Sequence, residues 1–386
     1  MVLRLEGTGR DFTLGLAREQ TPEEPMTDSA AFVRPAPMEG HGVYNRSSRV
    51  QAAGLSPAMP LLEQAATTVA LSAGPEPVVI VDYGSSEGHN SLGPMAVAIG
   101  ALRKRVGLER TILVVHTDLP ENDFTALFRT LAADPNSYLR ADPAVFACAV
   151  GRSFYEQLLP ASSVTLGWSS WAVQWLSSAP APIPDQVQVA YSGDPAARAA
   201  FAWRAADDWR TFLAQRGREL CPGGRLVVLT MAVDEAGNFG YRPLLEAMYA
   251  SLMQMAEEGF LRAEELRRMA IPTVGRSRED LLAPFAEAGS FAGLSIEEME
   301  MFGGEDRIWA QFESDGDAPA FGARWAAFSR ASVFPSLASG LAGGQHDPRA
   351  ITFVDRLEAN LATRLAAAPE RMLIPLGKLL LVKEAR

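Results

Sequence analysis

Cysteine is scarce in this chain, with only Cys148 and Cys221 among its 386 residues. Two cysteines cannot build a disulfide framework, and such scarcity is typical of proteins from a reducing compartment. Histidine is also rare, because the chain has four, far apart in sequence. No Cys/His spacing typical of a metal site is present. We therefore expect a cytoplasmic protein that binds no metal.

Long apolar runs and an excess of positive charge are also absent. No run approaches the roughly 20 apolar residues that span a membrane, and the N-terminus lacks the apolar core of a signal peptide. The formal net charge is -11, which argues against nucleic acid as a partner. We expect neither a membrane nor a nucleic acid to be bound, and an anionic substrate would have to be recognised by local groups.

The stretch around which the chain is organised is residues 78–92, where the apolar run 78–81 predicts a buried strand. The run leads into Asp82 and a loop with Gly84 and Gly88, and Asn90 opens a stretch of helical periodicity. A strand, a glycine turn and a helix form the first half of a nucleotide-binding βαβ unit. Neither phosphate-binding glycine motif occurs, and the loop has no Lys or Arg. This favours a nucleoside without phosphates, such as S-adenosylmethionine, although the glycines could equally serve only to turn the chain.

A second predicted strand, residues 111–115, leads into Asp118 and Pro120. An Asp before a proline is commonly a solvated turn residue. However, Asp118 would stand at a strand's carboxyl end, where an open α/β sheet binds its ligands. Two carboxylates after successive strands, Asp82 and Asp118, therefore make a ligand site the favoured interpretation.

Three tryptophans occur close together after a predicted strand at 164–168. Ser169 and Ser170 could cap a short helix that holds Trp171, Gln174 and Trp175, with both tryptophans on one helix face. Core packing is the usual explanation of such a pair. The concentration of tryptophans at one junction nevertheless favours an aromatic pocket.

The rest of the chain predicts further strands and a long helical part. We expect strands at 146–150, 226–229, 371–375 and 378–382, a helix at 195–220, and helices from residue 242 to about 314. Asp207, Asp208, Arg210 and Arg216 are predicted to form an ordinary solvated face of the helix at 195–220.

Taken together, these segments resemble the SABATH family of S-adenosylmethionine-dependent methyltransferases, named for plant salicylate, benzoate and theobromine enzymes. The resemblance covers the chain from about Met38. Five family motifs occur in the family's order. S-Y-A-x-N-S-x-x-Q resembles residues 44–51, D-x-G-x-S-x-G-P-N-x-L resembles 82–92, N-D-L-P-x-N-D-F resembles 117–124, P-G-S-F-Y-x-x-L-x-P resembles 151–160, and S-S-x-S-L-x-W-L-S-x-x-P resembles 169–180.

This resemblance implies an α/β fold, with a Rossmann-like class I methyltransferase sheet and an α-helical cap. Residues 1–37 would be a flexible arm, residues 38–240 and 350–386 the cofactor-binding core, and residues 241–349 a mainly helical cap over the acceptor pocket. By family analogy the protein would be a homodimer.

The resemblance also implies roles for individual residues. Those expected to hold S-adenosylmethionine, whose product is S-adenosylhomocysteine, are Ser48, Asp82, Gly84, Asn90, Asp118, Leu119, Ser153 and Phe154. Asp118 would contact the ribose and Phe154 the adenine. Gln51 and Trp175 would hold the substrate carboxylate as the catalytic pair, and the acceptor pocket would be lined by Trp171, Gln174, Leu244 and Leu245.

Several positions depart from the family pattern. Glu39 stands where members often have Lys, and His89 where Pro is usual. Trp171 and Gln174 replace a common Tyr and a common Met or His. These changes concern the acceptor more than the cofactor.

The chemistry of the predicted site favours a carboxylic acid as acceptor. A carboxylate, with a pKa of roughly 4, is already ionised at neutral pH and needs no general base. Gln51 and Trp175 offer N–H donors, and neither can take up a proton. The expected function is therefore formation of the methyl ester of a small aromatic or indolic acid. The alternatives are N-methylation of a purine-like heterocycle, with Gln174 binding the ring edge, and a non-catalytic cofactor-binding protein.

Overall fold

The computed structural model describes residues 38 and 54–385. The predicted N-terminal arm, Ser48 and Gln51 lie outside the described residues. Within them the chain forms seven strands. These are β1 (Val78–Tyr83), β2 (Ile112–Asp118), β3 (Val145–Gly151), β4 (Val164–Ser170), β5 (Leu220–Met231), β6 (Leu294–Gly303) and β7 (Pro375–Lys383).

The strands form one mixed sheet in the order β3-β2-β1-β4-β5-β7-β6. The first five are parallel, and β7 runs antiparallel to both β5 and β6. After β3 the chain crosses from one side of β1 to β4 on the other, so the strand order reverses at β1. Open α/β sheets bind ligands at the carboxyl ends of the strands beside such a reversal. Asp82 lies there, paired with His116 of β2 and Trp168 of β4.

Helices cover both faces of the sheet. The described helices are α1 (Met59–Thr68), α2 (His89–Val106), α3 (Phe124–Ala133), α4 (Tyr138–Ala141), α5 (Pro195–Glu219), α6 (Arg242–Glu257), α7 (Ala263–Arg268), α8 (Arg278–Leu282), α9 (Arg307–Asp315), α10 (Ala318–Ser332), α11 (Phe334–Ala338) and α12 (Ala350–Ala367). The described residues also form four short 3₁₀ turns. The predicted α/β fold is confirmed.

The continuous apolar runs of the strands follow from burial on both faces. Ile80 belongs to the core that includes α1, α2, α6, α10 and α12, whereas Val81 and Tyr83 belong to the core under α5. Strand residues point alternately to opposite faces, so both alternating sets must be apolar in a covered sheet. Fully burying one such side chain contributes about 1.5–3 kcal/mol.

The predicted short helix after Ser170 is wrong. Strand β4 extends through Ser170 because Ser169 and Ser170 pair with β5. Trp171 then adopts a left-handed backbone conformation with φ of 55°, and the chain continues in turns to Trp175, which pairs with Thr273 in an isolated bridge. The local sequence does not show this pairing, because its partners come later in the chain.

The helical prediction for 242–314 is wrong at β6, which pairs antiparallel with β7. Its apolar residues begin in alternation at Leu294 and Ile296. The register then shifts between Ile296 and Glu298, so the next apolar residue, Met299, comes three positions after Ile296 instead of two. That bulge disguises the strand periodicity. Near the C-terminus, the two predicted strands reduce to one, because β7 begins at Pro375 and residues 371–374 precede it.

The solvated face predicted for residues 207–216 is wrong at two of its charges. Asp208 is 2% exposed and Arg216 is fully buried. Asp208 accepts hydrogen bonds from the backbone N–H and the hydroxyl of Ser177, both at 2.7 Å. Buried charges of this kind need hydrogen-bond partners, and the partner of Asp208 is 31 residues away in sequence.

Candidate active site

Gly84 sits at the tight turn after β1. Its φ is 91°, a backbone conformation that residues other than glycine rarely adopt. A Cβ at this position would lie 2.5 Å from the Cβ of Ala172 and 4.0 Å from Cε1 of Phe154. The backbone N–H of Gly84 donates to the carbonyl oxygen of Thr117 at 2.9 Å. The turn after β1 therefore packs directly against both the turn after β4 and the segment after β3.

Asp82 is 3% exposed and joins three elements. Its Oδ2 accepts a hydrogen bond from the hydroxyl of Ser91 on α2 and lies 3.2 Å from Nδ1 of His116 on β2. The other ring nitrogen of His116 is 2.7 Å from the hydroxyl of Tyr138. One oxygen of this predicted cofactor residue is thus engaged inside the protein, where it fixes the start of α2 beside the end of β1.

Asp118 ends β2, and its carboxylate accepts hydrogen bonds from the backbone N–H groups of Ser86 at 2.7 Å and Leu119 at 2.8 Å. Burial raises the pKa of Asp118 to about 6, against the lowering effect of these two bonds. Asn122, to which the sequence analysis gave no role, donates from its side-chain amide to the carbonyl oxygen of Ser86 at 2.9 Å. The two loops after β1 and β2 are therefore held together. The only indication of this in the sequence is that Asn122 is the second Asn of the third family motif.

Three buried hydroxyl or amide oxygens at this edge of the sheet lack a hydrogen-bond partner among the described residues. They are Ser86 Oγ and Asn90 Oδ1 after β1, and Ser170 Oγ at the end of β4. Most buried polar atoms in proteins are hydrogen-bonded. Unsatisfied atoms beside the strand reversal therefore fit a polar ligand, and a nucleoside with an amino-acid tail offers partners for them.

Ser153 and Phe154 follow β3, and the structure brings Phe154 next to Gly84. The ring of Phe154 packs at 4.7 Å on Tyr155 and edge-on to Phe212 at 6.0 Å, measured between centroids. The hydroxyl oxygen of Ser153 accepts a hydrogen bond from the backbone N–H of Tyr155 at 3.3 Å. An aromatic ring held beside the glycine turn is placed to pack against a flat base.

A cavity of about 70 Å³ brings together all the predicted acceptor residues that the structure describes. Its walls also come from β5, α6, α10 and two loops, and none of its described lining residues is charged. The lining is Met38, Trp171, Gln174, Trp175, Gln188, Met231, Phe239, Tyr241, Leu244, Leu245, Met248, Ile271, Thr273, Phe328, Ser329, Ser332 and Val333.

The polar groups of this cavity are few. Gln174 is 4% exposed; its side-chain N–H donates to the carbonyl oxygen of Trp171 at 2.6 Å, and its oxygen accepts from the hydroxyl of Thr230 at 3.4 Å. Trp171 Nε1 and the Tyr241 hydroxyl are buried and lack a partner among the described residues. Burial raises the pKa of Tyr241 far above its usual range, so its hydroxyl stays protonated at neutral pH.

Tyr241 is a lining residue that the sequence analysis missed. It precedes α6 with φ of 56°, and its ring stacks on Phe328 and meets Trp325 edge-on. The pattern G-Y-R-P before a helical stretch marks the helix start, but it does not show which way the tyrosine faces.

The described residues show neither a metal cluster nor a membrane element. No group of three or more His, Cys, Asp or Glu side chains in the described part of the chain could hold a metal ion. Among the same residues, no helix is both long and apolar enough to cross a membrane.

The strand order, with the antiparallel β7 between β5 and β6, and a glycine turn that lacks a phosphate-binding motif are the features of a class I S-adenosylmethionine-dependent methyltransferase. Residues 36–374 match the family model for SAM-dependent carboxyl methyltransferases. The chain belongs to this family, and its cofactor is S-adenosylmethionine.

Similar proteins come from fungi and plants. The chain is 30% identical to methyltransferase LUC1 of Fusarium sp over 261 residues, which are 66% of this chain and 68% of LUC1. It is 28% identical to salicylate carboxymethyltransferase of Clarkia breweri over 291 residues, covering 72% and 78% of the two chains. A solved loganic acid methyltransferase with S-adenosylhomocysteine superposes with a TM-score of 0.72 at 22% identity, covering 91% of this chain and 99% of that one. This last likeness supports the fold.

If Asp118 binds the cofactor, as the family resemblance implies, its raised pKa predicts a loss of cofactor affinity in mild acid. Its carboxylate is ionised well above pH 6 and can accept hydrogen bonds, whereas protonation removes that capacity. If only the ionised form binds, the affinity for S-adenosylhomocysteine falls about tenfold between roughly pH 7.5 and pH 5. Calorimetry at several pH values measures this fall. Asp118→Asn should bind weakly at every pH with a flat profile, and a flat profile in the unmodified protein would contradict the prediction.

Proposed function

We propose that this chain transfers the methyl group of S-adenosylmethionine to the carboxylate of a small aromatic or indolic acid and forms its methyl ester. The observation that supports this most strongly is the acceptor cavity, whose described lining has no charged side chain and no histidine. Its one titratable lining group among the described residues, Tyr241, stays protonated at neutral pH. Such a cavity suits a nucleophile that is already ionised.

The reaction then depends on positioning. S-adenosylmethionine, when bound, supplies an electrophilic methyl group. The protein has to place the acceptor oxygen in line with that group and exclude water. We assign Gln51 and Trp175 as donors to the acceptor carboxylate, which would leave its second oxygen to attack. No proton has to be removed in this step.

The cavity walls favour a flat, uncharged body for the acid. Trp171 and Trp175 provide aromatic surface, and Leu244, Leu245 and Met248 provide aliphatic surface. An apolar ring is well accommodated by such walls. We assign the helical part of residues 241–349 as the cap over this cavity, because α6 and α10 contribute to its walls, whereas β6 belongs to the sheet.

On the cofactor side, we assign the described predicted residues around the reversal of the sheet. Asp118 would accept hydrogen bonds from the ribose, and Phe154 would pack against the adenine beside Gly84. Ser86 and Ser170, which were not predicted, join Asn90 as candidates because each has an unsatisfied buried oxygen. Ser48 remains a prediction from the sequence.

The family and the names of similar proteins support a carboxylic acid as the acceptor. The family model describes carboxyl methyltransferases, and the Clarkia relative is a salicylate carboxymethyltransferase. N-methylation of a heterocycle is less well supported, because Gln174 already uses one amide hydrogen and its oxygen within the protein. One amide hydrogen and one oxygen lone pair are left for a ring edge.

The test is transfer of labelled methyl from S-adenosylmethionine to a panel of aromatic, indolic and aliphatic acids. Each acid is paired with its primary amide, and xanthine-type heterocycles form a third group. We expect base-labile methyl esters from one or more acids and no labelled amide or heterocycle. Labelling of the heterocycles with none of the acids would overturn the proposal, and transfer to no compound would favour a binding protein.

A homodimer and a cytoplasmic location stay predictions from the sequence. Sedimentation of the purified protein tests the first, and localisation in the source cell tests the second.

A further inference from the structure

Two buried arginines lie beneath the two halves of the site. Arg216 of α5 is fully buried, and Arg276, in the loop before α8, is 2% exposed. Neither lines the acceptor cavity among the described residues. Burying a guanidinium costs free energy unless its N–H groups are well paired, so the partners of each arginine indicate what it stabilises.

Arg216 binds the segment that carries Phe154. One terminal nitrogen donates to the carbonyl oxygen of Phe154 at 2.6 Å, and the other donates to that of Glu156 at 2.9 Å. The guanidinium also pairs with both oxygens of Glu219, at 2.9 and 2.8 Å. It lies 4.4 Å from the ring centroid of Tyr83 on β1.

Glu219 holds the same segment as Arg216. Its carboxylate accepts hydrogen bonds from the backbone N–H groups of Leu158 at 2.5 Å and Leu159 at 3.3 Å, and from the hydroxyl of Tyr83 at 2.9 Å. Residues 152–163 form turns and bends between β3 and β4, so this backbone is fixed by side chains instead of a regular ladder. The Arg216–Glu219 pair supplies several of those bonds.

Arg276 binds the turn that carries Trp171, Gln174 and Trp175. One terminal nitrogen donates to the carbonyl oxygen of Val173 at 2.6 Å, and the other to that of Ala205 on α5 at 3.2 Å. The hydroxyl of Tyr155 donates to the carbonyl oxygen of Trp175 at 2.5 Å. This turn is also irregular, and it contains the left-handed Trp171.

We propose that Arg216 and Arg276 are positioning residues with separate duties, Arg216 for the cofactor half and Arg276 for the acceptor half. The assignment rests on the proposed roles of Phe154 and Trp175. The planar guanidinium donates in two directions from one rigid group, which suits carbonyl oxygens of an irregular backbone. A lysine ammonium keeps the charge but not this fixed fork.

The test is a comparison of Arg216→Lys with Arg276→Lys in the full-length protein. Two dissociation constants are measured by calorimetry: that of S-adenosylhomocysteine, and that of an accepted acid for the protein saturated with S-adenosylhomocysteine. We expect Arg216→Lys to weaken the binding of S-adenosylhomocysteine about tenfold or more, while the dissociation constant of the acid changes less than about threefold. Arg276→Lys should show the opposite split.

A purely structural role predicts that both constants change together in each variant, and that result would overturn the proposal. Thermal unfolding is measured alongside, so that each change in a dissociation constant can be compared with the loss of stability of the same variant. If a lysine variant does not fold, Tyr83→Phe and Tyr155→Phe replace the pair, because the Tyr83 hydroxyl bonds Glu219, the partner of Arg216, and the Tyr155 hydroxyl interacts with Arg276. Each removes one hydroxyl donor, to Glu219 or to Trp175, and keeps its ring. The same split is expected at smaller size, and its absence contradicts the proposal.

Failure of this inference can be distinguished from failure of the proposed function. The cofactor constant requires only S-adenosylhomocysteine, so it decides the role of Arg216 whether or not an acid is methylated. If the unmodified protein binds no acid of the panel, the proposed function fails, and the role of Arg276 fails with it.

Discussion

Replacing Gly84 with alanine is expected to weaken the binding of S-adenosylhomocysteine roughly 100-fold, an effect of about 2.7 kcal/mol. The added Cβ would lie 2.5 Å from Ala172 Cβ, and the backbone would have to keep φ near 91°. Both strains are relieved only by moving the turn. That movement would displace the N–H groups of Gly84 and Ser85 from the carbonyl oxygen of Thr117. Calorimetric titration measures the change.

Gly107→Ala is the matched control. Gly107 also has a positive φ, of 71°, but an added Cβ there would meet no described atom within 4 Å. It ends α2, far in sequence from the turn. Both variants incur the backbone cost of alanine at positive φ, roughly 1–3 kcal/mol, and only Gly84→Ala adds the steric clash. Equal cofactor affinity in the two variants would show that the turn after β1 is not the cofactor cradle.

Replacing Trp175 with alanine is expected to reduce kcat/KM for the acceptor acid about 100-fold or more while changing cofactor affinity less than about threefold. The indole is 9% exposed and forms part of the cavity wall. Its removal takes away both aromatic surface and the proposed N–H donor. Steady-state kinetics with the best acid of the panel, together with calorimetry, separates the two quantities.

Trp203→Ala removes the same side chain from an exposed site. Trp203 lies on α5 and is 63% exposed. The kcat/KM for the acid and the cofactor affinity of this variant should therefore match those of the unmodified protein. Trp175→Ala with normal turnover, or with a loss confined to cofactor affinity, would remove Trp175 from the acceptor site.

The core of the fold was predictable because its strands are unusually easy to recognise. Val78–Tyr83 and Ile112–Asp118 are apolar throughout their first halves, since a parallel sheet covered on both faces needs no polar side. The polar residues at their carboxyl ends, Asp82 and Asp118, can therefore be recognised from the sequence as candidate ligand contacts.

The acceptor turn shows where local pattern fails. Ser169, Ser170 and the spacing of Trp171 and Trp175 match a capped helix, yet pairing with β5 extends the strand instead. The five described residues predicted for the acceptor pocket, three of them in this turn, still line one cavity, because the resemblance located them independently of their secondary structure. Their roles remain proposals.

The burial of charged side chains could not be predicted from periodicity either. Arg216 and Glu219 are three residues apart on α5, which in sequence is typical of an exposed pair. What buries them is the irregular backbone at 154–159, whose path depends on the whole sheet. Strand β6 was missed because its bulge breaks the alternation that marks a strand.

The most direct test of the central claim is the pH dependence of kcat for methyl transfer to an accepted acid, measured with saturating S-adenosylmethionine. If the acceptor is a carboxylate in a cavity without a base, kcat should stay flat between about pH 7 and pH 9, because no group has to lose a proton in that range. A kcat that rises through a pKa within this range would reveal a general base and contradict the account.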